Sequence, residues 1–449
     1  MVRPSDLALL DELRFFTGKE IVPKLAPDSE ILEAIRRHYR EELPEHDEAA
    51  RAPVVERDLM EAASPNVRMA DALLREAIAA RASDLHLEPE EHHLRVRMRV
   101  DGVLNEGQTL PKEVEGPLVA RFKILAGLDI AERRRPQDGH FSYYFEGRRI
   151  EVRLATVGTL WGESAVMRLI YPSGSLRGLD QLGILPPEYA RLTRLLKRPY
   201  GILFVTGPTG SGKTTTLYAA LRHMYTPEKN FITVEDPVEL PLEGVNQIPI
   251  QPKIGLTFAR ALKAILRLDP DVILVGEIRD AETLETVLRA ALTGHFVLAT
   301  LHTNDAVSTV SRLIEMGAER HLVASTFAGA VAQRLARRVC PQCGEWQPLK
   351  PEEIAFLGPR AKEIEREKRG RGCNYCRGTG YVGRVGLYEV FAPDAKTMHM
   401  IALGDDELAI REHLANNGHR DLTEVGLELV KRGETTVSEL MRVLGLIEG

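Results

Sequence analysis

One segment limits what this chain can fold into more than any other: Gly207, Pro208, Thr209, Gly210, Ser211, Gly212, Lys213 and Thr214, followed by Thr215. It fits the spacing G-x-x-x-x-G-K-S/T. An apolar run, ILFVT, precedes it and a helical run, TTTLYAALRHM, follows; in that setting such a loop cradles nucleotide phosphates. The glycines let backbone N–H groups approach the phosphates with no Cβ in the way, and the helix N-terminus adds partial positive charge. On this reading ATP is the ligand, Lys213 reaches its β- and γ-phosphates, and the Thr214 hydroxyl ligates Mg2+.

A strand, loop and helix need a sheet to belong to. Between about 178 and 339 the chain carries short, continuously apolar runs (GILFVTG, NFITVED, DVILVGE, HFVLATLH), each followed by a helical or loop segment. That texture predicts an α/β domain with a largely parallel sheet. Ligands collect at the carboxyl ends of such strands, which directs attention to Glu235 with Asp236, and to Glu277. Phosphoryl transfer to water needs a metal ion and a group that orients the water, and two carboxylates can divide these jobs. We assign Glu277 to Mg2+ and Glu235 to the attacking water; spacing alone does not order them, and the reverse assignment is the alternative. His302, at the carboxyl end of a buried strand, is the candidate γ-phosphate sensor, with His295 at the other end a weaker one. Positive charge on the γ-oxygens remains to be supplied. Arg153 and Arg168, on strand-like segments earlier in the chain, are the candidates, ahead of Arg95, Arg97 and Arg99, whose ordinary reading is a solvated face.

Those arginines lie in a second region, 65–172. There HHLRVRMRVDGVL alternates, placing Leu94, Val96, Met98 and Val100 on one face and Arg95, Arg97 and Arg99 on the other. Ile150, Val152 and Leu154 alternate again after a turn at Glu146-Gly147, and the helical run VEGPLVARFKILAGL lies between, which predicts an α+β layer. Upstream, residues 1–40 read as helical and 41–64 as an acidic, proline-containing linker. The only four cysteines form two CxxC pairs, Cys340/Cys343 and Cys373/Cys376, a pattern that suits tetrahedral Zn2+ in a closed structural site. We read 340–390 as that module, with a small helical insert (PEEIAFLG to AKEIEREKR) between the pairs, and 391–449 as a helical subdomain. The net charge of −6 speaks against a dedicated nucleic-acid binder, and no apolar stretch is long enough to span a bilayer, so the expectation is a cytoplasmic protein without nucleic acid.

Taken in order, GPTGSGKTTT, ITVEDPVE, LDPDVILVGEIRDAET and GHFVLATLHTNDA closely resemble the secretion-superfamily ATPases. The tetracysteine insert followed by GRVGLYEVF is similar to the branch that assembles type II secretion pseudopili and extends type IV pili, and ASDLHLEPE, RVDGVL and RPQDGHF resemble that branch's second N-terminal domain. The resemblance covers about 65–449. It implies a RecA-like P-loop ATPase domain behind a PAS-like α+β domain, and a homo-hexameric ring peripheral at the cytoplasmic face of the inner membrane. ATP would bind between the two domains, and hydrolysis would act on an inner-membrane platform protein that feeds pilins into a fibre. It implies Lys213 on phosphate, Glu235 as catalytic glutamate, Glu277 on the metal side, His302 as sensor, and Arg153 and Arg168 as the arginines from the preceding domain. Residues 1–40 resemble only the last part of an N-terminal docking module, whose upstream half would carry the membrane-anchored docking partner's site or a cyclic-dinucleotide site. The competing expectations are a nucleic-acid translocase or retraction motor of the same superfamily, and a scaffold that binds ATP without turning it over.

Overall fold

The computed structural model describes residues 65–171 and 177–445. The helices expected in 1–40 and the linker at 41–64 lie outside the described residues.

The α+β layer forms as its alternation dictates. Helix α1 (Pro65–Ala79) buries Ala70, Leu73, Leu74, Ala77 and Ile78, one face at helical spacing. Strands β1 (Asp84–Pro89), β2 (His93–Val100), β3 (Val103–Pro111), β4 (Gln137–Phe145), β5 (Arg148–Thr159) and β6 (Gly162–Ile170) make one sheet, in the order β3-β2-β1-β6-β5-β4. Every neighbouring pair is antiparallel. Two hairpins turn on residue–glycine pairs with positive φ, Asp101-Gly102 and Glu146-Gly147, the conformation that two-residue turns require. Leu94, Val96 and Met98 are buried with Ile150, Val152 and Leu154 against α1 and helix α2 (Glu115–Leu125). Val100, at the strand end, is only half-buried.

The outer face of this sheet is charged, and register lines the charges up. Asp84 pairs with Arg99 on one side and Arg168 on the other; Arg168 pairs with Arg153, and Arg153 with His140. One row of ionisable side chains therefore crosses five strands.

Helix α3 (Pro186–Leu195) leads into the second sheet: β7 (Gly201–Thr206), β8 (Phe231–Glu235), β9 (Asn246–Pro249), β10 (Val272–Val275), β11 (Phe296–Leu301), β12 (Phe327–Val339) and β15 (Tyr381–Phe391), in the order β15-β12-β7-β11-β10-β8-β9. All pairs are parallel except β12 with β15. Strands β7, β8, β10 and β11 are buried at every residue, as continuous apolar runs require when helices cover both faces. The connecting helices are α4 (Lys213–Met224), α5 (Phe258–Ile265), α6 (Ala281–Leu292), α7 (Ser308–Glu315) and α8 (Arg320–Thr326).

Two boundaries differ from the sequence reading. Strand β15 pairs along its length with β12, so residues 381–390 belong to this sheet and the cysteine module is the excursion 340–380 between two neighbouring antiparallel strands. Within it, the segment expected to continue as helix to Arg369 divides: helix α9 (Pro351–Leu357) and a 3-10 turn to Glu363 are helical, but Arg366–Gly370 is strand β14, paired with β13 (Gly344–Pro348). Pairing overrides propensity there, because Glu367 is buried and accepts from the Val437 amide and the Arg369 guanidinium. The helices α10 (Ala395–Leu403), α11 (Glu407–Asn416), α12 (Leu422–Lys431) and α13 (Val437–Leu444) follow and pack into the same apolar core as α6 and β12.

The excursion also touches the first layer. The Arg377 guanidinium donates to the Ala79 carbonyl (3.0 Å), and the Gly383 amide, just past the excursion, donates to Asp101 at the β2–β3 turn (2.8 Å).

Candidate active site

The loop between β7 and α4 is built by glycine conformations. Gly207, Gly210 and Gly212 have φ of 141°, 79° and 89°. At Gly207 a Cβ would lie 2.5 Å from the Gln333 carbonyl oxygen and 2.8 Å from Ser211 Oγ, so only glycine fits. Gly212 caps α4 with no side-chain acceptor, which leaves the first-turn amides of the helix without a side-chain partner. Ser211 Oγ is buried with no hydrogen-bond partner among the described residues, and Thr214 and Thr215 are exposed at the helix start. A helix start with no side-chain cap, an unpartnered hydroxyl and an exposed threonine fit a phosphate ligand with its metal ion.

Lys213 curls over this loop, its Nζ donating to the carbonyls of Gly207 (2.7 Å) and Pro208 (3.1 Å). Burial holds its pKa below the ordinary lysine value; the Glu277 carboxylate opposes that shift and the Arg334 guanidinium adds to it. Glu277, two residues past β10, forms an ion pair with Arg279 and has His302 Nε2 at 3.8 Å. His302 follows β11 directly and is half-exposed. Strand register puts Leu301 opposite Thr206, so His302 and Gly207 leave the sheet at one level. Lys213, Glu277 and His302 thus converge at the carboxyl edge.

Glu235 sits deeper. It ends β8, is 3 % exposed, and accepts from the Tyr218 hydroxyl on α4, Thr233 Oγ1 (2.5 Å) and Gln247 Nε2 on β9 (3.1 Å). Burial, and then the bond to Glu235, push the Tyr218 phenol well above its ordinary pKa. His295 lies at the amino end of β11, where its Nδ1 contacts the Ala290 carbonyl (2.8 Å) and Thr293 Oγ1 (3.1 Å); it closes the end of α6 and is remote from the carboxyl edge.

The arginines of the first layer are not brought to the loop. Arg168 Nε donates to Asp84 (3.0 Å), Arg97 to Glu88 (2.7 Å), and Arg95 and Arg99 form ion pairs with Glu90 and Asp84. Arg153 is exposed, and its side chain makes no hydrogen bond or ion pair among the described residues.

Two site residues escaped the sequence reading. Gln333 and Arg334 on β12 lie against the loop: Gln333 Oε1 accepts from Thr216 (2.7 Å), and Arg334 donates to the Gln333 and Asn304 carbonyls. The only trace was a polar pair inside the otherwise apolar stretch AVAQRLA.

The four cysteines meet. Sγ separations are 3.9 Å (Cys340–Cys373), 3.7 Å (Cys343–Cys376) and 3.7 Å (Cys373–Cys376), and all four sulfurs lie within 4.8 Å of one another. A tetrahedral ion with bonds of about 2.3 Å holds its sulfurs about 3.8 Å apart, whereas a disulfide brings them to about 2.05 Å. The donor set therefore fits a metal. Burial raises the Cys343 thiol to about 12. Burial also acts upward on Cys376, but the amides of Cys373 and Gly380 donate to its sulfur and the balance lowers it to about 6.

A family model described as "Type II/IV secretion system protein" matches residues 60–442. The chain belongs to this family. A second model, the MshEN domain, matches residues 1–45. Among relatives, the type IV pilus assembly ATPase PilB of Thermus thermophilus is 40 % identical over 458 residues, 98 % of this chain and 51 % of the relative. The chain thus spans about half the length of that relative. The type II secretion system protein HxcR of Pseudomonas aeruginosa is 46 % identical over 380 residues, 85 % of this chain and 77 % of its own length. Among solved structures, the pilus retraction motor PilT with bound ADP is similar at a TM-score of 0.53 and 26 % identity, covering 82 % of this chain and 95 % of that one.

Proposed function

We propose that this chain hydrolyses ATP as one subunit of a homo-hexameric ring, peripheral at the cytoplasmic face of the inner membrane, and drives pilin or pseudopilin assembly through an inner-membrane platform protein. The observation that carries the reading is the convergence of Lys213, Glu277 and His302 beside a loop whose glycine conformations and uncapped helix start suit a triphosphate. Family membership supports it, and the higher identity to the assembly and secretion relatives than to the retraction motor favours assembly.

In this reading Lys213 leaves the two loop carbonyls for the β- and γ-phosphates. Thr214 and Glu277 would hold Mg2+, which when bound would supply positive charge to the phosphate oxygens. Glu235 takes the proton of the water whose oxygen attacks the γ-phosphorus, as the bond from that phosphorus to the β,γ-bridging oxygen breaks. His302 contacts the γ-phosphate, and Arg153 and Arg168, which this structure holds away from the loop, would reach the nucleotide only in the assembled ring, their own subunit's or a neighbour's. That layer is PAS-like in this proposal, its first and last strands adjacent at the centre of the sheet. The four cysteines would hold Zn2+, which would close the excursion as a structural site.

Steady-state turnover of the full chain with ATP and Mg2+, against Lys213→Ala, tests the reading. A clear excess over the variant is expected, with a hexamer in light scattering when nucleotide is bound. Turnover equal to Lys213→Ala would establish the ATP-binding scaffold instead.

A further inference from the structure

Arg334 belongs to no motif that marks the nucleotide site, yet it touches three parts of it. It lies on β12 two residues past the pair Ala332–Thr206, and is 8 % exposed. One Nη donates to the Gln333 carbonyl (3.0 Å) and the other to the Asn304 carbonyl (2.7 Å). A Cβ built on Gly207 would sit 3.2 Å from Arg334 Nη1, so the guanidinium lies against the first residue of the phosphate loop. Asn304 is two residues beyond His302.

The same segment is gripped from its other side. Asp305 accepts from Arg411 on α11 (2.8 Å) and from the Ser308 amide (2.8 Å). His302 itself is half-exposed, and its nearest charged neighbour, Glu277, stands at 3.8 Å, beyond hydrogen-bond reach. Its position therefore depends on how residues 303–305 are anchored. A guanidinium can span two carbonyls in one fixed plane; a lysine ammonium can hold one of them but not set the angle between them. Among the described residues Arg334 has no carboxylate within ion-pair distance, so what it holds is backbone.

We propose that Arg334 is a positioning residue of ATP hydrolysis: it fixes the His302 segment against the phosphate loop, so that His302 and Lys213 address the same phosphate. The proposal rests on the hydrolytic reading of the site. Arg411 is the second anchor of the same segment.

Full-length Arg334→Lys, Arg334→Gln, Arg411→Ala and the Arg334→Lys/Arg411→Ala double variant test it, with turnover, affinity for a fluorescent ATP analogue and thermal melting measured on each. Arg334→Lys should keep nucleotide affinity within about threefold and lose about tenfold to hundredfold in kcat, since small misplacements of a reacting group are that costly. Arg411→Ala should lose less, with affinity unchanged. The double variant should lose less than the product of the two, because both side chains hold one segment. If Arg334→Gln does not fold, Arg334→Lys and Arg411→Ala carry the test. Arg334→Lys with kcat within about twofold of wild type would overturn the proposal, and so would a fall in affinity that accounts for the whole loss in kcat/KM. A wild type no faster than Lys213→Ala would remove the hydrolytic reading and this one with it; a normal wild type with an unimpaired Arg334→Lys would remove this one alone.

Discussion

Replacing Glu235 by glutamine separates its two duties, holding a buried polar network and taking a proton. The carboxylate accepts three hydrogen bonds and is nearly inaccessible to solvent. Glutamine preserves its volume and one acceptor oxygen but puts an NH2 where the second oxygen stood. The Tyr218 and Thr233 hydroxyls can turn to accept from it. Gln247 cannot oblige as easily, because its amide is already committed to the Leu240 carbonyl and the Leu242 amide. At worst one buried polar group is left unsatisfied, which costs about 1–3 kcal/mol and lowers the melting temperature by about 2–10 °C. Loss of a general base costs about 10²–10⁴-fold in rate, or about 3–5 kcal/mol of transition-state stabilisation. Glu235→Gln should therefore remain folded and bind nucleotide while turnover collapses. Tyr218→Phe provides the contrast: it removes a donor to a charged acceptor, destabilises by about 1.5–3 kcal/mol, and leaves the base in place with a smaller loss of rate. The measurement is steady-state ATP turnover beside a melting curve and a binding titration. Folded Glu235→Gln with turnover within about threefold of wild type would refute the assignment of the base.

Four further outcomes are expected. Gly207→Ala places a methyl group 2.5 Å from a backbone carbonyl at a φ of 141°, and should cost about 1–3 kcal/mol and weaken ATP binding more than tenfold by titration (about 1.4 kcal/mol per tenfold). If the four cysteines hold a metal ion, a chelator should lower the melting temperature of the 340–380 excursion and leave affinity for an ATP analogue unchanged, as hydrogen exchange and titration will register. Arg153→Ala should cut kcat far more than nucleotide affinity if that side chain acts only in the transition state. Asp394 caps α10, and the Thr397 amide chiefly lowers its pKa to about 2, so its contribution is present above the ordinary carboxylate range and is lost as pH falls towards 2. The difference in melting temperature between wild type and Asp394→Ala should hold steady through neutral pH and narrow on acidification.

The nucleotide edge was legible because its parts leave local marks. Positive φ selects glycine at Gly207, Gly210 and Gly212, and double-sided burial makes β7, β8, β10 and β11 continuously apolar. The alternation of β2 and β5 was readable for the same reason: one face is buried and the other wet. Strand β12 left no such mark. Its sequence, FAGAVAQRLARRV, is rich in alanine and arginine, which are strong helix formers, and it is a strand because β7 and β15 pair with it on both sides. With β12 unread, Gln333 and Arg334 could not be placed, and β15 was assigned to the cysteine module. The environment of Glu235 was hidden too, since Tyr218 and Gln247 reach it from a helix and a strand on opposite sides in the chain.

The excursion 340–380 occupies the place where two adjacent antiparallel strands need no more than a tight turn, and its base is closed by the Cys340 amide donating to the Gly380 carbonyl. Lengthening a two-residue turn about twentyfold costs about 3 kcal/mol of closure entropy, a modest sum beside what four thiolates would return on holding one metal ion. What the excursion adds lies on its outer surface, where it meets the neighbouring layer at Ala79 and carries Tyr375 and Trp346 into solvent.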